Sequence, residues 1–284
     1  MFLKDLIQKI RFFIYEFPIL FKTFFYSFHK IHFIKNWPIF LLDATSCLGF
    51  VKVIKNNYIT YELKNNIKYK IRASSADNLV IWEVNLLRQY DRKGFEIKET
   101  DTIVDIGAHI GIFSVWAAKF AKKGKVYSFE PFQENFQLLK HNIELNNIKN
   151  IETFNLAIAK KEGKMNLFIS TNTGGHSIYN LPGHTKEIGI QTITLDKIID
   201  QKNIKNIDFL KMDCEGAEYD ILFNCKDKTL STIKKISMEY HNIDEKFNIK
   251  ALKNFLESKN FIVEFKPGFS GVGMLYAKKD EQIK

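Results

Sequence analysis

Four acids sit at or beside the ends of short apolar runs. Asp105 lies in Thr102-Ile-Val-Asp-Ile106, and Glu130 follows Lys125-Val-Tyr-Ser-Phe129. Asp213 follows Ile207-Asp-Phe-Leu-Lys-Met212, and Glu239 closes Ile233-Lys-Lys-Ile-Ser-Met238. The runs are rich in β-branched and aromatic residues, as buried strands are. A carboxylate at a strand end can accept hydroxyl hydrogen bonds, oppose a cation or take a proton. Strand ends on one edge of a parallel sheet share a crevice, so the four acids are expected to converge. Asp213 is the acid expected to act as the base or to face the donor; Cys214-Glu215 after it and Tyr240-His241 after Glu239 make Glu215, Glu239 and His241 the other candidate acids and bases. The ordinary imidazole pKa of about 6.5 suits His241 to that work, although it reads equally as a hydrogen-bonded loop residue. Glu215 has a structural alternative at a helix start, where an acid favours the macrodipole. Glu218 reads as structural.

The turn after the first run is Asp105-Ile-Gly107-Ala108-His109-Ile-Gly111. Its spacing is Asp-x-Gly-x-x-x-Gly. His109 occupies the place where a nicotinamide fingerprint needs glycine against pyrophosphate, which counts against a dinucleotide oxidoreductase. Gly107 allows an unusual backbone angle and close approach by a ligand. The helix that follows, with Ile112, Phe113, Val115 and Trp116 apolar, offers unpaired N–H groups at its start. Glu130 lies one strand–helix–strand unit later, placed to accept both ribose hydroxyls of a nucleoside. Taken singly, the loop reads as a tight turn and Glu130 as a solvated strand end. Together they point to a nucleoside without pyrophosphate, and S-adenosylmethionine fits. A hard cation held by Asp213, Glu215 and Glu239 is the metal-assisted alternative, which the spacing does not require; no metal is expected.

Three motifs then occur in a familiar order: Asp105-Ile-Gly-Ala-His-Ile-Gly-Ile-Phe-Ser114, Phe129-Glu-Pro-Phe132 with Asn135, and Lys211-Met-Asp-Cys-Glu-Gly-Ala-Glu218. The chain resembles the FkbM-type S-adenosylmethionine-dependent methyltransferases from roughly Thr102 to Lys278. His109 stands where asparagine is common. The resemblance implies that Ala108, Pro131 and Asn135 join Asp105, Gly107, His109, Gly111, Glu130 and Asp213 around the cofactor. It also implies that Asn155 and Ala157 lie near the adenine. The acceptor it implies is a hydroxyl on a sugar, glycan, glycolipid or secondary metabolite. The fourth strand lacks the Asn/Asp-Pro-Pro-aromatic clamp that holds a flipped base, and no basic stripe with interleaved aromatics runs through the core. No nucleic-acid partner is therefore expected. A rival of another class is a non-enzymatic nucleotide-binding or membrane-adaptor protein.

The elements that must position these residues alternate between strand and helix. Helix 132–147 and strand 151–155 follow Glu130. Short helices are expected at 195–200 and 216–224, then helix 245–259 and strands 260–266 and 272–278. The last two strands should pair as a hairpin. The expected fold is a Rossmann-like, doubly wound, mostly parallel seven-stranded sheet with an antiparallel C-terminal hairpin. Added strands at 165–170 and 190–194 bracket a glycine-rich loop whose Gly175, His176 and Ser177 read as a substrate lid; a plain surface loop is the alternative. Before the sheet, three β-rich segments at 50–54, 58–63 and 67–71 suggest a small sheet, and Asp77 is placed to cap a helix running to Tyr90.

Residues 1–75 are thus expected to form an N-terminal α+β cap and 76–284 the methyltransferase domain. The first forty residues read as two amphipathic helices rich in phenylalanine. Charges at Glu16, Lys22, Lys30 and Lys35 interrupt every apolar run, which rejects a membrane span and a signal peptide. A helical cap is the main expectation; peripheral membrane or partner contact through residues 1–42 is the alternative. The chain has 284 residues, 45% of them hydrophobic, so a large core is available. Three cysteines without metal spacing (Cys47, Cys214 and Cys225) suit a reduced, cytoplasmic setting. The net charge of +10 is spread along the chain and reads as solvated surface. No feature of the sequence sets an oligomeric state.

Overall fold

The computed structural model describes residues 28–47, 56–170, 174–179, 184–268 and 271–280. The expected strand at 50–54 and most of the two N-terminal helices lie outside them. The described chain opens with a 3-10 turn, Phe28–Phe33, and α1, Trp37–Cys47. Strands β1 (Tyr58–Glu62) and β2 (Lys68–Arg72) pair antiparallel. The helix expected from Asp77 to Tyr90 is shorter and changes type: α2 (Asp77–Ile81) runs into a π-helical turn, Trp82–Leu86. Asp77 does not cap it. Its carboxylate instead accepts from the Arg72 backbone N–H at 3.0 Å and from the guanidinium at 2.9 Å.

The main sheet contains β3 (Thr102–Ile106), β4 (Lys125–Phe129), β5 (Ile151–Phe154), β9 (Phe209–Met212), β10 (Lys235–His241), β11 (Phe261–Pro267) and β12 (Val272–Lys279). Its order is β11-β12-β10-β9-β3-β4-β5. Neighbours from β10 to β5 are parallel, and β12 is antiparallel to both β10 and β11. The architecture expected from the sequence is therefore the one found. The order reverses between β3 and β9, which opens the crevice at their carboxyl ends.

Helices α3 (Ile112–Phe120) and α4 (Gln133–Leu145) follow β3 and β4. Beyond β5, β6 (Ala157–Ile158), β7 (Gly163–Ser170) and β8 (His184–Ile193) form a separate three-stranded sheet. Helices α5 (Leu195–Gln201), α6 (Glu218–Phe223), α7 (Asp227–Thr232) and α8 (Ile249–Ser258) complete the layers. Helices α6 and α8 begin later than the sequence suggested. Asn248, not a residue near 245, caps α8 by accepting from Lys250 and Ala251 N–H.

Alternation along each strand feeds two cores. Val104, Ile106, Leu210 and Met212 face one layer, whereas Ile103 and Phe209 face the other, with α3. That second layer also holds Tyr61, Tyr69, Ile81 and Trp82, so the N-terminal elements share its core. Two asparagines four residues apart, Asn142 on α4 and Asn146 at its C-cap, act as a substitute strand. Asn142 bonds the N–H and C=O of Lys70 at 2.7 and 3.0 Å; Asn146 does the same to Lys68 at 2.9 and 2.6 Å. Both groups of each residue on that edge of β2 are thereby satisfied.

Candidate active site

A cavity of about 240 Å³ opens at the carboxyl ends of β3, β4, β9 and β10. Of the four strand-end acids, Glu130, Asp213 and Glu239 line it, and Asp105 does not. Asp105 is fully buried on the α3 side of the sheet, where parallel pairing sets it beside Lys211 on β9 and Ser128 on β4. It takes Lys211 Nζ at 3.2 Å and the Ser114 hydroxyl at 2.5 Å, and Ser128 donates to Ser114 at 2.9 Å. The sequence reading that put Asp105 on the ligand is corrected accordingly: its charge is consumed inside the fold. Lys211 also donates to the Gly107 carbonyl at 2.7 Å and so holds the turn from below. Burial of that ammonium is outweighed by Asp105 and Asp213, which keep it charged.

The turn itself is built from left-handed residues. Gly107 has φ +74°, and a Cβ there would lie 1.8 Å from the Asp213 carbonyl oxygen. A side chain there would collide with the neighbouring strand end, and the residue also lines the cavity. Gly111 has φ +86° and meets Leu139 of α4, where a Cβ would be 2.4 Å from Cδ1; unlike Gly107, it lies off the cavity. His109 adopts φ 52° without being glycine. Its ring turns towards the cap, with Nε2 3.0 Å from Arg72 and 3.4 Å from Asp77. Burial holds this imidazole below its usual pKa, against the pull of Asp77.

Glu130 closes the other side. Its carboxylate accepts from the backbone N–H of His109 at 2.8 Å and of Phe132 at 2.9 Å. Burial nevertheless pushes it up to about 7. Ala108, Pro131, Asn135 and Ala157 line the cavity beside it. Asn155 stays behind the wall and bonds the Glu130 and Pro131 carbonyls at 2.9 and 3.0 Å. Asn135 is 2% exposed, and its Oδ1 has no hydrogen-bond partner. An orphaned buried acceptor on a concave wall, beside Glu130 and a left-handed turn, is what a hydroxyl- and amine-bearing nucleoside requires. These residues fit S-adenosylmethionine.

The opposite end is acidic. Tyr90 donates to Asp213 Oδ2 at 2.9 Å, and Lys211 is 3.8 Å from the same oxygen. Glu215, with φ 51°, sits in the turn before α6 rather than in the helix. Glu218 starts α6 and accepts from the Cys214 and Gly216 N–H groups at 3.3 and 3.2 Å, which fixes that turn. His241 lies among three carboxylates: Nε2 is 3.2 Å from Glu215 and 3.5 Å from Glu239, and Nδ1 is 3.3 Å from Glu218. Burial opposes its charge, but Glu218, Glu215 and Glu239 outweigh that and hold it protonated. The three carboxylates favour the imidazolium, which weighs against the free-base role read from its ordinary pKa. Glu239 faces the cavity and is pushed up to about 7 by burial and by Asp213, with His241 pulling the other way. Among the described residues, no group of three His, Cys, Asp or Glu side chains has a cation-binding arrangement.

The glycine-rich loop reaches the same cavity. Ser177 donates to the Glu215 carbonyl at 2.6 Å and exchanges backbone hydrogen bonds with Phe168. His176 packs edge-on against Phe132 and lines the cavity; Gly175 and Ser177 support it from outside the wall. Among the wall residues that escaped the sequence reading are Glu83 and Tyr90, both from the segment before β3. Their signal was present as polar groups in an otherwise apolar helical pattern, but the π-turn hid which face they occupy. Among the described residues, no helix is long and apolar enough to cross a membrane.

The family model of the methyltransferase FkbM domain matches residues 105–263. Methyltransferase 1 of Beauveria bassiana is 26% identical over 203 residues, 63% of this chain and 81% of that protein. The 2-O-methyltransferase NoeI of Sinorhizobium fredii is 22% identical, over 61% of this chain and 78% of its own. The 31-O-demethyl-FK506 methyltransferase FkbM of Streptomyces tacrolimicus is 24% identical, over 55% and 72%. Among solved structures, M. jannaschii TYW2 in complex with AdoMet aligns with TM-score 0.44 and 18% identity, over 80% of this chain and 87% of that one.

Proposed function

The chain belongs to the FkbM methyltransferase family, whose methyl donor is S-adenosylmethionine, and from that premise we propose that it methylates a hydroxyl of a small molecule or glycan. Sugars, glycolipids and hydroxylated secondary metabolites are the acceptor classes. Two similar proteins carry O-methylation in their names, NoeI and the FK506 methyltransferase, which supports oxygen as the target atom. The observation that carries the reading is Glu239. It is a half-buried carboxyl pushed up to about 7, facing the same cavity as the Gly107–Glu130 cradle. A base is most effective when its pKa lies near the working pH.

S-adenosylmethionine supplies an electrophilic methyl group on a sulfonium. Glu130 receives its ribose hydroxyls, and Asn135 and Ala157 line the wall beside them. Asp213, held by Tyr90 and Lys211, supplies negative charge where the sulfonium sits. Glu239 takes the acceptor proton. The imidazolium of His241 keeps Glu239 and Glu215 oriented. Residues 1–75 act as a cap on the methyltransferase domain, 76–284. A cytoplasmic setting with peripheral membrane contact through residues 1–42 belongs to the same reading; fractionation in which carbonate fails to release the protein would defeat it.

Calorimetry with S-adenosylmethionine, followed by transfer of labelled methyl to pooled glycans and hydroxylated compounds, tests the function. The label should resist mild alkali, as a methyl ether does. Label released by alkali, as from a carboxyl ester, or carried on nitrogen would refute oxygen-ether formation.

A further inference from the structure

Glu83 is a wall carboxyl that the mechanism above leaves unused. It comes from the π-turn, where the Leu87 N–H bonds the Trp82 carbonyl five residues back at 2.9 Å. The extra residue of such a turn shifts the helical phase. Trp82, Val84 and Leu86 remain in the core while Glu83 faces the cavity. Its carboxyl makes no hydrogen bond with a described residue, and the charges acting on it are Glu239, Asp213 and Lys211. Lys211 is already engaged by the Gly107 carbonyl and Asp105, and the Tyr90 hydroxyl by Asp213. The acceptor end of the cavity therefore holds acids in excess of donors. The donors must arrive with the ligand.

We propose that Glu83 is an acceptor-binding residue, and that Glu83 and Glu239 receive two neighbouring hydroxyls of one uncharged polyol ring. The inference rests on the O-methyltransferase reading and narrows its substrate class. One hydroxyl gives its proton to Glu239 as its oxygen bonds the methyl carbon and the donor's carbon–sulfur bond breaks, leaving a neutral thioether. The second hydroxyl keeps its proton and hydrogen-bonds Glu83. Burial, with Glu239 and Asp213, pushes Glu83 up to about 8, so at neutral pH it is mostly an uncharged carboxylic acid that both donates and accepts. Asp213 and Glu239 repel a carboxylate or phosphate beside the reacting hydroxyl.

The test uses the full chain with S-adenosylmethionine and a panel of methyl pyranosides, their monodeoxy analogues, the matching uronates and the amino sugars. Glu83→Leu fills the same volume without polar atoms. It should raise KM for the vicinal diol by about tenfold or more, while Glu83→Gln, which still donates and accepts, recovers most of the loss. Affinity for S-adenosylmethionine in calorimetry should move by less than about twofold. The monodeoxy analogue lacking the second hydroxyl should react equally with wild type and Glu83→Leu. An equal KM increase on the diol and that analogue, an equal loss in the Leu and Gln variants, or a preference for the uronate or amino sugar overturns the proposal. Hydroxyl methylation with an unchanged Glu83→Leu KM would remove this inference and leave the O-methyltransferase reading standing. Label on amine or carboxyl alone would remove both.

Discussion

The two ends of the cavity are built in opposite ways. At the nucleoside end, turn and strand ends come from one continuous stretch, 105–135, and most polar groups are already satisfied by the fold. Glu130 accepts two backbone N–H groups, and Lys211 grips the Gly107 carbonyl. At the acceptor end the groups come from distant places: Glu83, Tyr90, His176, Asp213 and Glu239. There carboxyls face one another, and like charge adds to burial in raising Glu83 and Glu239, whereas burial alone raises Glu130. The first end is a preorganised receptor. The second stores unfavourable electrostatics that a ligand relieves, which is how a site trades stability for reactivity.

Substitutions should separate the two. The largest effect is expected at the rigid end. Gly107→Ala combines a left-handed angle with a Cβ 1.8 Å from the Asp213 carbonyl, so it should cost roughly 2–6 kcal/mol in denaturant unfolding. An unchanged midpoint would mean that the turn is not rigid, and the contrast would collapse.

At the acceptor end the damage should fall on catalysis and ligand binding rather than on folding. Glu239→Gln is expected to lower kcat by about 10²–10⁴ and leave S-adenosylmethionine binding nearly intact. Asp213→Asn should lower kcat less and weaken cofactor binding more, because its carboxylate is held by Tyr90 and Lys211. If Asp213→Asn is inert in turnover assays below saturation and Glu239→Gln remains active, the roles assigned to β9 and β10 are exchanged.

Next in size is Glu130→Ala. Its carboxylate makes two charge-assisted bonds to the backbone, each worth about 1.5–3 kcal/mol, and is the proposed ribose acceptor. Cofactor affinity should drop more than about tenfold by calorimetry. Normal affinity in a folded variant would move the ribose elsewhere.

The smallest effect concerns pH. Glu83, raised to about 8, and Glu130 and Glu239, raised to about 7, hold protons in the fold that the unfolded chain has already lost. Their contribution to stability is therefore complete below the ordinary carboxylate pKa, declines as pH rises from there towards 7 to 8, and is gone above that. The unliganded protein should melt progressively lower over that range in scanning calorimetry. Glu83→Gln should flatten the upper part of the slope. A slope that Glu83→Gln leaves untouched would show that this carboxyl is not strained.

The same division governs how much of the protein was legible beforehand. The strands of the main sheet and their hairpin followed from hydrophobic period and glycine punctuation, because each strand carries its own pattern. Gly107 and Glu130 were legible because local spacing along one strand–helix–strand unit ties them together. Asp105 was recognised as special, but its partners were not. Only the β3–β9 register puts Lys211 opposite it and turns a would-be ligand into an internal ion pair.

What the sequence by itself determined, then, is the doubly wound sheet, the strand-end acids and the glycine turn after β3, all set by interactions a few residues apart. Tertiary structure alone decided the chemistry of the acceptor end. The protonation of His241 depends on three carboxylates from two separate segments. The orientation of Glu83 depends on a π-turn whose extra residue is tolerated because the flanking side chains find a core. Charge and burial act through space, and no periodicity along the chain records which groups will meet.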